Sequence, residues 1–151
     1  MVLVPGSPAE ATTNVGRFTT LPAGDVLGLQ VDGVAVLRRT SDGTLGRVVL
    51  RGLDPGLVYA AHLHNQPCGL GAGGSHYKDV TTGVGAPPNE LWFSSSDDPF
   101  DGITANRGGV ARGFGAAEWV ARPEAQSVVI HQVVSATGTA GGPKIACADL
   151  E

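Results

Sequence analysis

Apolar and polar residues alternate in short runs along most of the chain. Alternation with a period of two predicts β-strands, because successive side chains of a strand point to opposite faces. The predicted strands are residues 26–31, 33–39, 45–50, 57–64, 90–93, 109–114, 127–134 and 144–148. Ser41-Asp42-Gly43, between the second and third of these, predicts a hairpin turn.

Turn-forming residues separate these runs throughout. The chain contains 23 glycines and 10 prolines, and no segment favours a helix longer than two turns. Short strands with frequent turns favour an all-β antiparallel sandwich or barrel. A length of 151 residues suits one domain. We expect residues 1–16, whose pattern is weak, to form a loose N-terminal arm, and residues 17–151 to form the β-barrel domain.

Composition excludes some classes of partner. The chain carries a net charge of −4, and its ten basic residues are scattered, with no basic stretch that interleaves with aromatic residues. We therefore expect no nucleic-acid partner. The apolar runs are too short for a membrane span, so we expect none. The first residues lack the basic region and long apolar stretch of a secretory signal.

All four histidines of the chain fall into one pattern. His62 and His64 lie two apart in a predicted strand and therefore project from the same face. His76 follows in a predicted loop, 65–89, and His131 lies in the apolar strand near 128–131. Taken alone, a histidine in an apolar strand is more often a satisfied core residue. Imidazole is the commonest metal ligand, so the four together predict a metal site.

The two cysteines leave two interpretations open. Cys68 lies within the histidine segment, and Cys147 lies near the C-terminus. Two unrelated buried thiols are one possibility, since free cysteine behaves as a small hydrophobe. The other is a disulfide that ties the histidine loop to the last strand, which would stabilise the fold by about 4 kcal/mol. A disulfide would favour an oxidising compartment: extracellular, periplasmic or in the cell envelope.

Five motifs in a fixed order carry a family resemblance. They are Gly52-Leu53-Asp54-Pro55-Gly56, Ala72-Gly73-Gly74-Ser75-His76-Tyr77, Ile103-Thr104-Ala105 with Gly109-Val110-Ala111, Val128-Val129-Ile130-His131, and Lys144-Ile145-Ala146-Cys147. In this order they resemble the copper–zinc superoxide dismutase family, from about Gly33 to Ala148. The resemblance implies a Greek-key β-barrel, which agrees with the strand pattern.

The resemblance also implies roles for the histidines and cysteines. His62, His64 and His131 would be copper ligands, and His76 would be the imidazole that bridges copper to zinc in the family. Cys68 and Cys147 would form the disulfide within the subunit, which the residues alone left open.

The zinc half of the family's site is missing from this sequence. No histidine lies between His76 and His131, and a structural zinc needs four N, S or O ligands. We therefore expect copper without zinc, as in the copper-only branch of the family. The outer nitrogen of His76 then needs another partner, for which Glu90, Asp79 and Asp98 are the candidates.

Lys144 lies where the family has its substrate-guiding arginine, so Lys144 and His76 are the predicted catalytic residues. A solvated strand lysine with no such role is the alternative. The segment 132–146 contains no acidic residue and one basic residue, which predicts weak electrostatic steering of an anionic substrate.

The sequence thus predicts an enzyme, a copper-dependent superoxide dismutase acting on superoxide. A non-enzymatic extracellular protein that stores or delivers copper is the principal alternative. A zinc-loaded or metal-free adhesion or structural domain that keeps the barrel is the third.

Overall fold

Eight antiparallel strands form a nearly closed barrel in the computed structural model, which describes residues 11–151. The strands are β1 (Thr12–Thr20), β2 (Asp32–Thr40), β3 (Gly43–Arg51), β4 (Val58–His64), β5 (Ile103–Thr104), β6 (Ala111–Ala117), β7 (Ser127–Gln132) and β8 (Lys144–Asp149). One five-residue helix, α1 (Pro22–Val26), follows β1. Single 3₁₀ turns lie at Gly71–Gly73, Pro99–Asp101 and Gly138–Ala140.

The order of strands around the barrel is β5-β4-β7-β8-β1-β2-β3-β6. β3 pairs with β6 rather than with the next strand along the chain, and β4 pairs with β7. Two connections therefore cross an end of the barrel, which is the Greek-key arrangement. The predicted all-β Greek-key barrel is confirmed.

Most of the predicted strands are present. The predictions for 33–39, 45–50, 57–64, 109–114, 127–134 and 144–148 correspond to β2, β3, β4, β6, β7 and β8. The turn at Ser41-Asp42-Gly43 joins β2 to β3, as predicted. Residues 90–93 form no strand of their own, although Trp92 makes an isolated bridge to His62.

Two predictions near the N-terminus are wrong. Residues 26–31 are not a strand, because Leu29 and Val31 reach the core from a connection without pairing to a neighbouring strand. The predicted arm, 1–16, is wrong over residues 12–16, which belong to β1 and pair with β2. Residues 1–10 of that arm lie outside the described residues.

Burial differs between the two sides of the barrel. From Thr44 to Arg51, β3 alternates between buried and exposed residues, as expected for a strand with one face in water. β4 and β7 are buried almost throughout. Their inner side chains, such as Leu63 and Ile130, belong to the core. Their outer side chains are covered by two long loops: residues 65–102 between β4 and β5, which we call the covering loop, and residues 133–143 between β7 and β8.

A disulfide joins Cys68, in the loop after β4, to Cys147 in β8. The predicted pairing is confirmed, and the alternative of two free thiols is wrong. The backbone N–H of Cys68 also donates to the side chain of Asp149 at 2.7 Å. The covering loop is therefore fixed at its start to the last strand. No helix among residues 11–151 is long and apolar enough to cross a membrane.

Candidate metal centre

The four histidines meet on the outer face of β4 and β7. His62, His64, His76 and His131 each offer one ring nitrogen, and these four atoms lie within 4.8 Å of one another. The structure thus brings together all four residues that the sequence predicted as metal ligands.

Strand register places three of them. His62 and His64 alternate with core residues along β4, so both point outward. On β7, His131 lies opposite Ala60 and is therefore the diagonal neighbour of His62. His76 comes from the covering loop and reaches the strand through an isolated bridge with His64.

A backbone carbonyl fixes the tautomer of His62. Its Nε2 lies 2.6 Å from the carbonyl oxygen of Thr139, and a carbonyl only accepts, so Nε2 carries the proton. Nδ1 is buried and has no hydrogen-bond partner among the described residues. Because unsatisfied buried polar atoms are rare in native proteins, this lone pair indicates a missing electrophilic partner.

His64 and His131 are oriented the opposite way. Nδ1 of His131 donates to the carbonyl of Gly142 at 2.8 Å, and Nδ1 of His64 donates more weakly to Gly74 at 3.3 Å. Both Nε2 atoms are then unprotonated, yet they lie 3.2 Å apart. Two facing lone pairs at this separation repel each other unless a cation lies between or beside them.

His76 is held by a carboxylate. Its Nδ1 donates to Oε1 of Glu90 at 2.6 Å, and the indole Nε1 of Trp92 donates to the same oxygen at 2.9 Å. The sequence left three acids open for this role, and the structure selects Glu90. Asp79 instead lies 3.8 Å from the guanidinium of Arg122, and Asp98 caps a 3₁₀ turn.

Glu90 is buried, with only 3% of its surface exposed. Burial alone would raise the pKa of its carboxyl group, but the hydrogen bonds from His76 and Trp92 outweigh burial and lower that pKa overall. Glu90 is therefore an anion. A carboxylate that accepts the Nδ1 proton raises the basicity of the opposite imidazole nitrogen, which for His76 is Nε2.

Burial also keeps the other histidines neutral. Desolvation, together with the neighbouring imidazoles, lowers the pKa of His62 well below its ordinary value and that of His64 to about 2. Desolvation lowers the pKa of His131 to about 4. All three are neutral at pH 7, which is the form that binds a metal.

The donor set fits a single cation. His62 offers Nδ1, while His64, His76 and His131 offer Nε2 once their other nitrogens are bonded to oxygen. Metal–imidazole bonds are about 2.0–2.1 Å long, so two nitrogens bound to one ion lie at most about 4 Å apart. The observed spread of up to 4.8 Å needs only a small inward movement. Four imidazoles suit copper or zinc.

Lys144 lies beside the cluster and contacts the covering loop. Its Nζ donates to the carbonyl oxygens of Gly71 at 2.9 Å and Gly74 at 2.7 Å. Gly74 is also the acceptor for His64, so Lys144 and His64 share one carbonyl. Through these two hydrogen bonds Lys144 holds the loop that carries His76 in place. Its role in guiding a substrate stays a prediction.

Sequence reasoning missed the groups that orient the imidazoles. The carbonyls of Thr139, Gly74 and Gly142 have no signature in the sequence, because every residue carries a carbonyl. Trp92 did have a signal: it lies two residues after Glu90 in an extended segment, so both side chains project from the same face. Its ring also packs 4.9 Å from that of His62.

In comparisons with known proteins, no family model matches the chain, and no curated sequence matches it.

Proposed function

We propose that this protein is a copper-dependent superoxide dismutase that works without zinc, as the family resemblance implies. The observation that carries the proposal is the unpartnered Nδ1 of His62, buried among three other imidazoles whose free nitrogens converge on it. A purely structural barrel would gain nothing from this cluster, because each imidazole bonds to oxygen through one ring nitrogen only, and burying the other nitrogen costs free energy.

A single metal rather than a copper–zinc pair is supported by the state of His76. In a copper–zinc site the outer nitrogen of this residue would bind the second metal, but here that nitrogen donates to Glu90. No other histidine of the chain is left to complete a zinc site. One metal per chain follows, held by four imidazoles.

When bound, copper would supply the one-electron redox change by which two superoxide anions and two protons become dioxygen and hydrogen peroxide. The chain's own residues would bind the ion and set the charges and protonation states around it. Glu90 holds the Nδ1 proton of His76 and thereby keeps the Nε2 lone pair directed into the site. Of the four histidines, His76 has the most accessible side chain, at 21%, so substrate and protons would arrive on its side.

Lys144 would attract the anionic substrate. Its ammonium group is close enough to lower the pKa values of His64 and His131 electrostatically. Two of its three N–H bonds are used by Gly71 and Gly74, so its charge is fixed in place. A fixed single charge gives modest steering, and we expect a slower encounter than in a strongly charged channel.

The test measures the rate of superoxide decay in the presence of a chelator that binds free copper and makes it inactive. The copper-loaded wild-type protein should accelerate decay, and His131→Ala should abolish that acceleration. Val129→Ala is the matched control, because Val129 is a buried neighbour on the same face of β7 with no ligand atom. If the wild-type protein retains copper but does not accelerate decay, a copper storage or delivery role replaces the enzymatic one.

The disulfide suggests where the protein works. Disulfides persist in oxidising compartments, so we place the protein outside the cytosol: secreted, periplasmic or in the cell envelope.

A further inference from the structure

Arginines that are scattered along the sequence come together on one side of the barrel. β1, β2, β3 and β6 are neighbours in the sheet, and alternate residues of 13–17, 34–38, 45–49 and 112–116 point outward from them. We call these twelve side chains the arginine face. Four of them are arginines and none is acidic: Arg17, Arg38, Arg47 and Arg112.

The arginine face makes the charge of the protein asymmetric. Because the net charge of the whole chain is −4, these four positive charges leave −8 on the remaining residues. Arg17 lies 3.6 Å from Asp32 at the edge of the face. The side chains of Arg38, Arg47 and Arg112 make no ion pair or hydrogen bond with any other residue in 11–151.

Register places these three arginines in a diagonal row. Arg38 lies opposite Leu45 on β3, two residues from Arg47. Arg47 lies opposite Phe114 on β6, two residues from Arg112. Diagonal neighbours across two strands are about 7–8 Å apart, so the row spans three strands with apolar side chains between the charges.

Those apolar side chains are exposed. Phe114 is 47% accessible and Leu45 is 41% accessible. An open depression of about 460 Å³ lies between Arg47 and Arg112, with Phe114 in its wall. A surface that interleaves arginines with exposed Phe, Leu and Val offers both charge and apolar area to one ligand.

We propose that the arginine face docks on a bilayer surface that contains anionic lipid. Cationic side chains gain energy from the negative surface potential, and interleaved apolar side chains enter the headgroup boundary. A second copy of this chain is disfavoured, because it would place arginines against arginines. A stable protein partner usually engages about 20–30 residues a side, and the arginine face has twelve.

Docking there would leave the metal centre free. β4 and β7, which carry the histidines, lie across the barrel from β2 and β3 in the sheet order. A protein seated on lipid through the arginine face would therefore direct its histidine cluster toward the solution. The inference does not depend on the proposed activity.

Vesicle co-sedimentation tests the proposal with the whole protein. We expect binding to vesicles of phosphatidylglycerol and phosphatidylcholine at low salt, little binding to pure phosphatidylcholine, and release by high salt. Arg47→Glu should weaken binding to the anionic vesicles about fivefold or more. Arg107→Glu, the same charge change at an exposed residue in the loop after β5, should have a much smaller effect.

A second variant separates lipid from a soluble polyanion. Phe114→Ser should weaken binding to anionic vesicles without changing binding to dextran sulfate. Both Arg47 and Phe114 are exposed, and equal unfolding midpoints would verify that the variants fold. The proposal is overturned if anionic vesicles are not bound, or if Arg107→Glu weakens binding as much as Arg47→Glu. Dextran sulfate binding with no effect of Phe114→Ser on vesicle binding would indicate a polyanion partner instead.

Discussion

Replacing Glu90 by glutamine should weaken metal binding without removing a ligand. Glu90→Gln keeps the size of the side chain and keeps an oxygen where Oε1 now accepts from His76 at 2.6 Å and from Trp92 at 2.9 Å. The variant loses the negative charge, and the other carboxylate oxygen becomes an amide NH2 group. The Nε2 lone pair of His76 then becomes less basic, because its Nδ1 proton is held by a neutral acceptor.

The magnitude follows from the two hydrogen bonds. A bond to a charged group contributes about 1.5–3 kcal/mol and a neutral one about 0.5–1.5 kcal/mol, so each contact loses about 1 kcal/mol. Part of that loss affects the metal-free protein equally and therefore does not change the metal affinity. Outer partners of metal-bound histidines change metal affinity about 10–100-fold, and we expect the lower end for Glu90→Gln because the geometry is retained.

Competition with a chelator of known copper affinity at pH 7 measures the effect. Glu124→Gln is the matched control, since Glu124 has a 56% exposed side chain that contacts Arg122 rather than a histidine. We expect a copper dissociation constant about tenfold higher for Glu90→Gln and an unchanged one for Glu124→Gln. Equal affinities for wild type and Glu90→Gln would refute the role given to this carboxylate.

Three further predictions concern stability. Gly142→Ala should lower the free energy of unfolding by about 1–3 kcal/mol, because Gly142 has φ +144° and an added Cβ would lie 2.0 Å from a backbone oxygen. Gly141→Ala is the control: its added Cβ has no heavy atom within 4 Å, so the thermal midpoint should be unchanged. Burial lowers the pKa of His131 from 6.5 to about 4, so unfolding of the metal-free protein takes up a proton between these values. Its free energy of unfolding, measured with urea, should therefore fall as pH drops from 6.5 to 4, by about 1.4 kcal/mol per pH unit from this residue, and a flat profile would contradict the assignment. Reducing the Cys68–Cys147 bond should lower the same free energy by about 4 kcal/mol, and an unchanged urea midpoint would rule that out.

The strands that the sequence predicted best are those whose alternating pattern indicates one face exposed to water. β3 alternates between buried and exposed residues from Thr44 onward, and its bounds were close to those predicted. β1 was missed because its nine residues include four threonines and few large apolar side chains; pairing with β2 and β8 makes it a strand. Residues 26–31 failed for the opposite reason, since apolar residues such as Leu29 can reach the core from a connection.

At the candidate metal centre, the sequence identified the four clustered histidines and not their orientation. Histidine is rare enough for four residues to stand out, and the resemblance ordered them. The choice of Glu90 over Asp79 and Asp98 depends on how the covering loop folds over β4, which no local pattern encodes. The arginine face was equally hidden, because Arg38, Arg47 and Arg112 are separated in the chain and meet only through strand register.

The identity of the donor nitrogens tests the copper centre most directly. Protein made with histidine labelled by ¹⁵N at Nδ1 or at Nε2 can be loaded with one copper(II) per chain and examined by pulsed EPR. We predict strong coupling to one Nδ1, from His62, and to three Nε2, from His64, His76 and His131. Coupling to fewer than four imidazoles, or to Nε2 alone, would contradict the proposed centre.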